Sequence, residues 1–269
     1  MRRTMLYFGS FNPIHKGHIA LAEYAIEQDL CDEVILIVSP RNPLKSSLHL
    51  ASEEDRYEMV EIACRECKFP DRIKPSVIEF LLERPSYTIN TLRYLSENYG
   101  ADCKFSILMG GDIIAQFDKW REYEEILNNY KIYVYPRRNE KINRHLDKIT
   151  LLTNAPLFDY SSTEVREGIL RSKSIAHMVC DGVLKYLESK TIWTIESLLE
   201  KLTDAIATTP TAELYAERGA WYFHISKWGD ALNDFNKALA IDATNQKAME
   251  LKKMVEEILA FRYTDIYNP

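Results

Sequence analysis

The sequence predicts an α/β protein in two parts: a doubly wound parallel sheet over residues 1–190, followed by an all-α domain over residues 191–269. Two observations predict it. Short apolar runs alternate with segments of helical periodicity through residue 189, the pattern of parallel strands joined by crossover helices. After about Lys190 the strand signals stop and only helical periodicity follows. A length of 269 residues suits one large or two ordinary domains.

The elements follow in order. Met5 to Phe8 is a short apolar run that ends in Gly9-Ser10, and Asn12-Pro13 is a turn pair. Ile19, Leu21, Ala22, Ala25 and Ile26 then mark a first helix. Val34 to Val38 is continuous and apolar, as expected of a strand buried on both faces. A Pro-rich loop follows it, Ser39 to Lys45. Ser52 stands before Glu53, Glu54 and Asp55, a capping residue followed by acids in a first turn, and predicts a helix over 52–66. Residues 73–79 read as a weaker strand. Thr88 is placed to cap a helix running to Asn98. Phe105 to Met109 and Tyr130 to Tyr135 complete the strands, and Leu151 to Thr153 with Leu157-Phe158 lead into Asp159. Ser161 to Arg166 opens one further helix, and a last helix of this part spans 175–189.

Several stretches carry chemistry. His15 and His18 lie three apart at a helix start, so they point the same way. Free backbone N–H groups and the positive end of the helix dipole favour phosphate there. Gly111 beside Gly110 lets the backbone pass close to a ligand. Asp112, at a strand end, is placed to take the hydroxyls of a ribose. Trp120 offers a face for stacking on a ring, or packs in the core. Arg137 and Arg138 follow a strand end and either meet phosphates or are solvated. Ser161, Ser162 and Thr163 bring hydroxyls and free amides to a helix start, with Arg166 one turn on, a cradle for phosphate oxygens. Cys64 and Cys67 form a lone C-x-x-C with no second pair at metal spacing, which leaves two incidental thiols.

Gly9-Ser10-Phe11-Asn12-Pro13-Ile14-His15-Lys16-Gly17-His18 resembles the G-x-F-x-P-x-H-x-G-H signature of the nucleotidylyltransferase superfamily. Its Phe-Asn-Pro-Ile-His spelling looks most like bacterial nicotinate-nucleotide adenylyltransferases. Ser86-Tyr87-Thr88, with Thr91-Leu92, resembles the Ser-Tyr-Thr-x-x-Thr-Leu pattern of that branch. Ser161-Ser162-Thr163 to Arg166 resembles the second signature, Ser-Ser-Thr-x-x-Arg. The resemblance covers residues 1–190 and implies a Rossmann-like fold and adenylyl transfer from ATP to nicotinate mononucleotide, with Mg²⁺ arriving on ATP. It further implies that His18 contacts the α-phosphate and His15 holds a phosphate nearby. Gly9, Ser10, Phe11, Gly111, Asp112, Ser161, Ser162, Thr163 and Arg166 would complete the ATP site, and Lys45 would add a point charge. Asn12, Tyr87, Thr88, Thr91, Asp112, Trp120 and Arg137 would hold the pyridine mononucleotide, whose carboxylate meets amides near Tyr87. The family often has Pro-His-Lys where this chain has Pro43-Leu44-Lys45, so no imidazole stands at that position.

In the C-terminal part, helices are predicted at about 194–207, 211–225, 228–240 and 246–262. Gly219, Tyr222, Ala231, Phe235 and Ala238 resemble a tetratricopeptide repeat over residues 212–245, with Tyr215 where that pattern has Trp. Either a partner or self-association surface, or a buttress for the catalytic part, is the expectation.

The bulk numbers exclude other classes. Net charge is −6, so no attraction to nucleic acid or anionic membrane is expected. No 18-residue apolar run occurs, and the start, Met-Arg-Arg-Thr, lacks the apolar core of a signal peptide, which predicts a cytoplasmic protein. Five scattered cysteines fit reduced thiols. Neither G-x-G-x-x-G nor G-x-x-x-x-G-K-[ST] is present, which argues against a dehydrogenase or a P-loop kinase. The alternatives to nicotinate mononucleotide are another acceptor (nicotinamide mononucleotide, phosphopantetheine or a cytidylyl acceptor) or an interaction module with a regulatory nucleotide site.

Overall fold

Six parallel strands form one sheet in the order β3-β2-β1-β4-β5-β6. The computed structural model describes residues 1–40, 49–137, 142 and 144–266, so the expectations for Leu44, Lys45 and Arg138 lie outside the described residues. The chain divides into two compact units, Met1–Ile192 and Trp193–Pro269.

In the first unit, β1 (Arg2–Gly9) leads to α1 (Lys16–Glu27), β2 (Glu33–Val38), α2 (Glu53–Arg65) and β3 (Ile73–Ser76). A short α3 (Ile78–Leu81) and α4 (Thr88–Tyr99) return the chain to β4 (Cys103–Gly110). Short α5 (Gly111–Ile114), α6 (Tyr123–Asn129), β5 (Lys131–Tyr135), β6 (Ile149–Leu151), α7 (Ser162–Leu170) and α8 (Asp181–Lys190) follow. The apolar runs become the central strands because both faces are covered: Leu6, Ile37, Ile107, Ile132 and Val134 are buried against Ile89 and Leu92 of α4 and Ile126 of α6. The order reverses between β1 and β4, the switch point where such sheets bind ligands at the strands' C-terminal ends.

Three expectations shift. The predicted strand over 73–79 ends at Ser76 and turns into α3. Pro75 lies opposite Leu36 on the sheet's outermost strand, where a residue without an N–H is tolerated. The predicted helix over 175–189 starts only at Asp181, because Ile175 and Val179 are buried in a turn that precedes it. Thr88 is the first residue inside α4, not its cap; Tyr87 occupies the cap and gives no side-chain cap bond. Ser52 does cap α2, accepting from the Asp55 N–H at 3.0 Å.

The second unit is α9 (Ile195–Thr208), α10 (Ala212–His224), α11 (Trp228–Ile241) and α12 (Gln246–Ile266). Ala216, Ala231, Phe235, Ala238, Ala248 and Val255 form its core. A Cβ on Gly219 would lie 2.7 Å from the Phe235 ring, so glycine here sets how closely α10 and α11 approach. Arg218 grips Asp234 with two bonds of 2.7 and 2.8 Å, both side chains almost buried.

Candidate active site

The loop from Gly9 to His15 leaves β1 at the switch point and enters α1. Its shape is imposed by close packing. Phe11 has φ 42°, in the left-handed region that costs a bulky residue energy. Its ring is buried between Tyr7 and His18, with centroids at 5.7 and 5.1 Å. A Cβ on Gly9 would stand 2.9 Å from that ring, so residue 9 has no room for a side chain.

An unexpected residue holds the loop from below. Arg56 of α2 is fully buried and donates to four carbonyls: Ala51 at 3.2 Å, Ser10 at 2.9 Å, Ser39 at 2.6 Å and Pro40 at 2.7 Å. It ties the loop after β1 to the end of β2. Burial lowers its pKa to about 10, which leaves it charged at neutral pH. The sequence signal was present: a lone arginine on the face that also carries Met59, Val60 and Ala63.

Asn12 is equally committed. Its side chain donates to the His49 carbonyl at 2.8 Å and accepts from the Ala51 N–H at 2.9 Å. Its own carbonyl accepts from Arg166 at 2.6 Å. The Ser162 hydroxyl donates to the Pro13 carbonyl at 2.8 Å. The two signature segments, 150 residues apart in the chain, are therefore stitched together directly. Ser161 caps α7, accepting from the Glu164 N–H at 3.4 Å. Thr163 accepts from Arg166 at 3.1 Å. Arg166 thus spends two of its N–H bonds on protein and retains others for a ligand.

The two imidazoles stack at 3.7 Å and 28°. The His15 backbone N–H donates to His18 Nδ1 at 3.2 Å. That acceptor role puts the proton of the neutral His18 ring on Nε2, as a donor. His15 is buried, its Nδ1 has no hydrogen-bond partner among the described residues, and burial followed by the Arg137 charge lowers its pKa to about 4. It is a neutral imidazole at neutral pH. A Cβ on Gly17 would come within 3.0 Å of that ring, so glycine between the histidines allows the stack.

Across the switch point, Asp112 Oδ1 is buried without a hydrogen bond and ion-pairs with Arg137 Nε at 3.3 Å. Gly111 opens α5 beside it. Trp120 is half-buried against Phe117 at 5.0 Å, on the flank of the sheet core. Arg121 covers the Tyr87 ring at 5.0 Å. Thr91 is fully buried and donates to Glu79 at 3.1 Å, so its hydroxyl serves the scaffold and not a ligand. Glu79 is itself buried, which raises its pKa, and its one mark in the chain is an acid between Ile78 and Phe80. Cys64 and Cys67 are reduced, burial raises both thiols, and Cys180 is pushed to about 11. None is poised as a nucleophile.

The cytidylyltransferase-like family model matches residues 6–168. A Flavobacterium psychrophilum protein named as a probable nicotinate-nucleotide adenylyltransferase is 40% identical over 187 residues, 68% of this chain and 94% of that one. A Bacteroides thetaiotaomicron protein of the same name is 38% identical over 186 residues, 69% of this chain and 90% of its own. Among solved structures, the Plasmodium falciparum nicotinic acid mononucleotide adenylyltransferase complexed with NaAD shares the fold, with a TM-score of 0.60 at 18% identity, covering 72% of this chain and 98% of that one. With both signature segments joined at the switch point of a six-stranded parallel sheet, this chain belongs to the cytidylyltransferase-like family, in the group of the nicotinate-nucleotide adenylyltransferases.

Proposed function

We infer that the chain transfers the adenylyl group of ATP to nicotinate mononucleotide, forming deamido-NAD and releasing pyrophosphate. The observation that carries this is the stacked His15–His18 pair at the start of α1, with His15 held neutral, beside the Thr163–Arg166 end of α7. The relatives' names point to the same reaction.

The attacking phosphate oxygen is already anionic, so no strong general base is needed. What the reaction demands is positioning and stabilisation of charge on the α-phosphate. His18 donates from Nε2 to the oxygen that gains charge. Arg166, with the positive end of the α1 dipole, holds the departing pyrophosphate, while the Lys16 and His18 N–H groups are spent on the Met178 and His15 carbonyls. Asp112, with a buried oxygen lacking a hydrogen bond, accepts from ribose hydroxyls. Arg137 receives the phosphate of the mononucleotide. Tyr87 gives no side-chain cap to α4, which leaves the first amides of that helix for a carboxylate. Trp120 presents its exposed face to the pyridine ring. Among the described residues no cluster of three or more His, Cys, Asp or Glu forms a cage of its own, which fits Mg²⁺ carried in on ATP, where it would supply positive charge to the triphosphate.

The second unit is proposed as a surface for a protein partner or a second copy, apart from the chemistry. The 187 residues shared with the Flavobacterium relative make up 94% of that protein. A chain cut after residue 192 is therefore expected to keep kcat within about twofold, and loss of turnover in the folded fragment would reject the division.

The test of the chemistry is pyrophosphate release by the purified chain with ATP, Mg²⁺ and nicotinate mononucleotide. His18→Ala is expected to lower turnover by ~10²–10³, the scale of one lost transition-state donor. A near-normal rate would sink the role given to His18.

A further inference from the structure

Two tyrosines at the switch point are unexplained by the phosphate-binding residues. Tyr7 lies near the end of β1 and Tyr135 ends β5, with β4 between the two strands. Both are buried, and their hydroxyls are 2.9 Å apart. The bond passes over the end of β4 at Gly110, which pairs with Tyr135 in the sheet. Gly110 makes room for it. A Cβ there would lie 2.4 Å from Asp112 Oδ1, 3.2 Å from the Tyr135 hydroxyl and 3.3 Å from Arg137 Nε. Three polar atoms from three side chains therefore converge over one glycine.

The Arg137 guanidinium is ion-paired to Asp112, and its Nε and the Tyr135 hydroxyl both crowd the space over Gly110. On its other side, the Tyr7 ring rests against His18 at 6.0 Å and Phe11 at 5.7 Å. The pair of hydroxyls connects the histidine side of the site to the arginine side. Arg137 is otherwise a long side chain at the mouth of the site, with 43% of it exposed. A free arginine loses much rotamer freedom when it grips a ligand, and one held in place beforehand loses less.

We propose that Tyr135, anchored by Tyr7, is a positioning residue that fixes the guanidinium of Arg137 for the phosphate of the pyridine mononucleotide. Each tyrosine has a share in this. The Tyr135 hydroxyl bounds the space over Gly110 that the Arg137 Nε occupies, and the Tyr7–Tyr135 bond fixes where that hydroxyl sits. The pair contributes no proton to the reaction and touches no reacting atom. The proposal rests on the reading of Arg137 as the ligand of the mononucleotide phosphate.

A double-mutant cycle tests it, using the full chain and initial rates of pyrophosphate release. Tyr135→Phe removes one hydroxyl and is expected to raise KM for nicotinate mononucleotide about fivefold, the scale of one net polar contact. Its kcat and its KM for ATP stay within about twofold. Tyr7→Phe shifts the same KM in the same direction by less. Arg137→Ala raises that KM further, and adding Tyr135→Phe to Arg137→Ala changes it by less than twofold. Equal effects of Tyr135→Phe with and without Arg137 would overturn the proposal, as would a KM for ATP that rises in step. An Arg137→Ala variant with unchanged KM for the mononucleotide would overturn it too, while leaving adenylyl transfer by the parent intact. An inactive parent would instead reject the function itself, so the two failures are told apart by the parent rate.

Discussion

Arg56→Lys is the perturbation that best probes how the site is held together. Arg56 gives four hydrogen bonds from three nitrogens, to carbonyls of the loop after β1, of the end of β2 and of the segment before α2. A lysine keeps the charge but presents one compact ammonium on a flexible stem, which cannot fork to all three. At least two carbonyls then lose their donor inside the protein. Each costs about 1–3 kcal/mol, and the lower end applies where a carbonyl swings toward water. The expected loss is roughly 3 kcal/mol, or about 10 °C in Tm for a unit of this size. Because Ser10 and Ser39 flank the phosphate loop, kcat/KM should fall by about tenfold or more even where the variant remains folded. Thermal unfolding of the full chain, read beside steady-state rates at a temperature well below both transitions, measures both. A variant that melts within 2 °C of the parent and keeps its kcat/KM, on the ~0.5 kcal/mol scale of an ordinary exposed substitution, would refute the claim that this arginine shapes the site.

Other outcomes follow from the same geometry. His15 has its pKa lowered from the ordinary 6.5 to about 4 by burial and by Arg137. The folded protein then binds fewer protons at this group than the unfolded chain between those values, so stability rises with pH there. The contribution is fully present above pH 6.5 and is lost as pH falls toward 4, worth roughly 3 kcal/mol across that window. His15→Gln should flatten this part of the Tm–pH curve, and an NMR titration of His15 centred near 6.5 would contradict the assignment. Arg137→Ala should move that midpoint upward, since a positive neighbour is removed.

Much of the fold was legible because burial on both faces of a sheet leaves apolar runs such as Val34 to Val38. The histidine pair was legible because its spacing in a helix start dictates a common direction. What escaped was decided by contacts distant in sequence. Thr88 has the chemistry of a cap, yet the chain enters α4 one residue earlier and Tyr87 takes the position. Asn12 and Thr91 match substrate-site patterns, but their side chains are spent on His49, Ala51 and Glu79. Arg56 holds the phosphate loop from a helix that begins well after it, and only an arginine among apolar residues marked its face. Tyr7 looked like one more apolar strand residue until Tyr135, from the far side of β4, met its hydroxyl. Ile175 to Val179 read as helix because its apolar residues are buried, although the backbone there is a turn.

Adenylylation of the acid form of a pyridine mononucleotide is open to direct measurement. The most direct measurement compares nicotinate and nicotinamide mononucleotide side by side as acceptors, with ATP and Mg²⁺, by pyrophosphate release and identification of the dinucleotide. The expected product is deamido-NAD, with kcat/KM for the acid higher by ~10² or more, since amides at a helix start favour a full negative charge over a carboxamide. Equal use of both would contradict the carboxylate site at Tyr87 and Thr88. Release with neither, from a folded protein that binds ATP, would contradict the account as a whole.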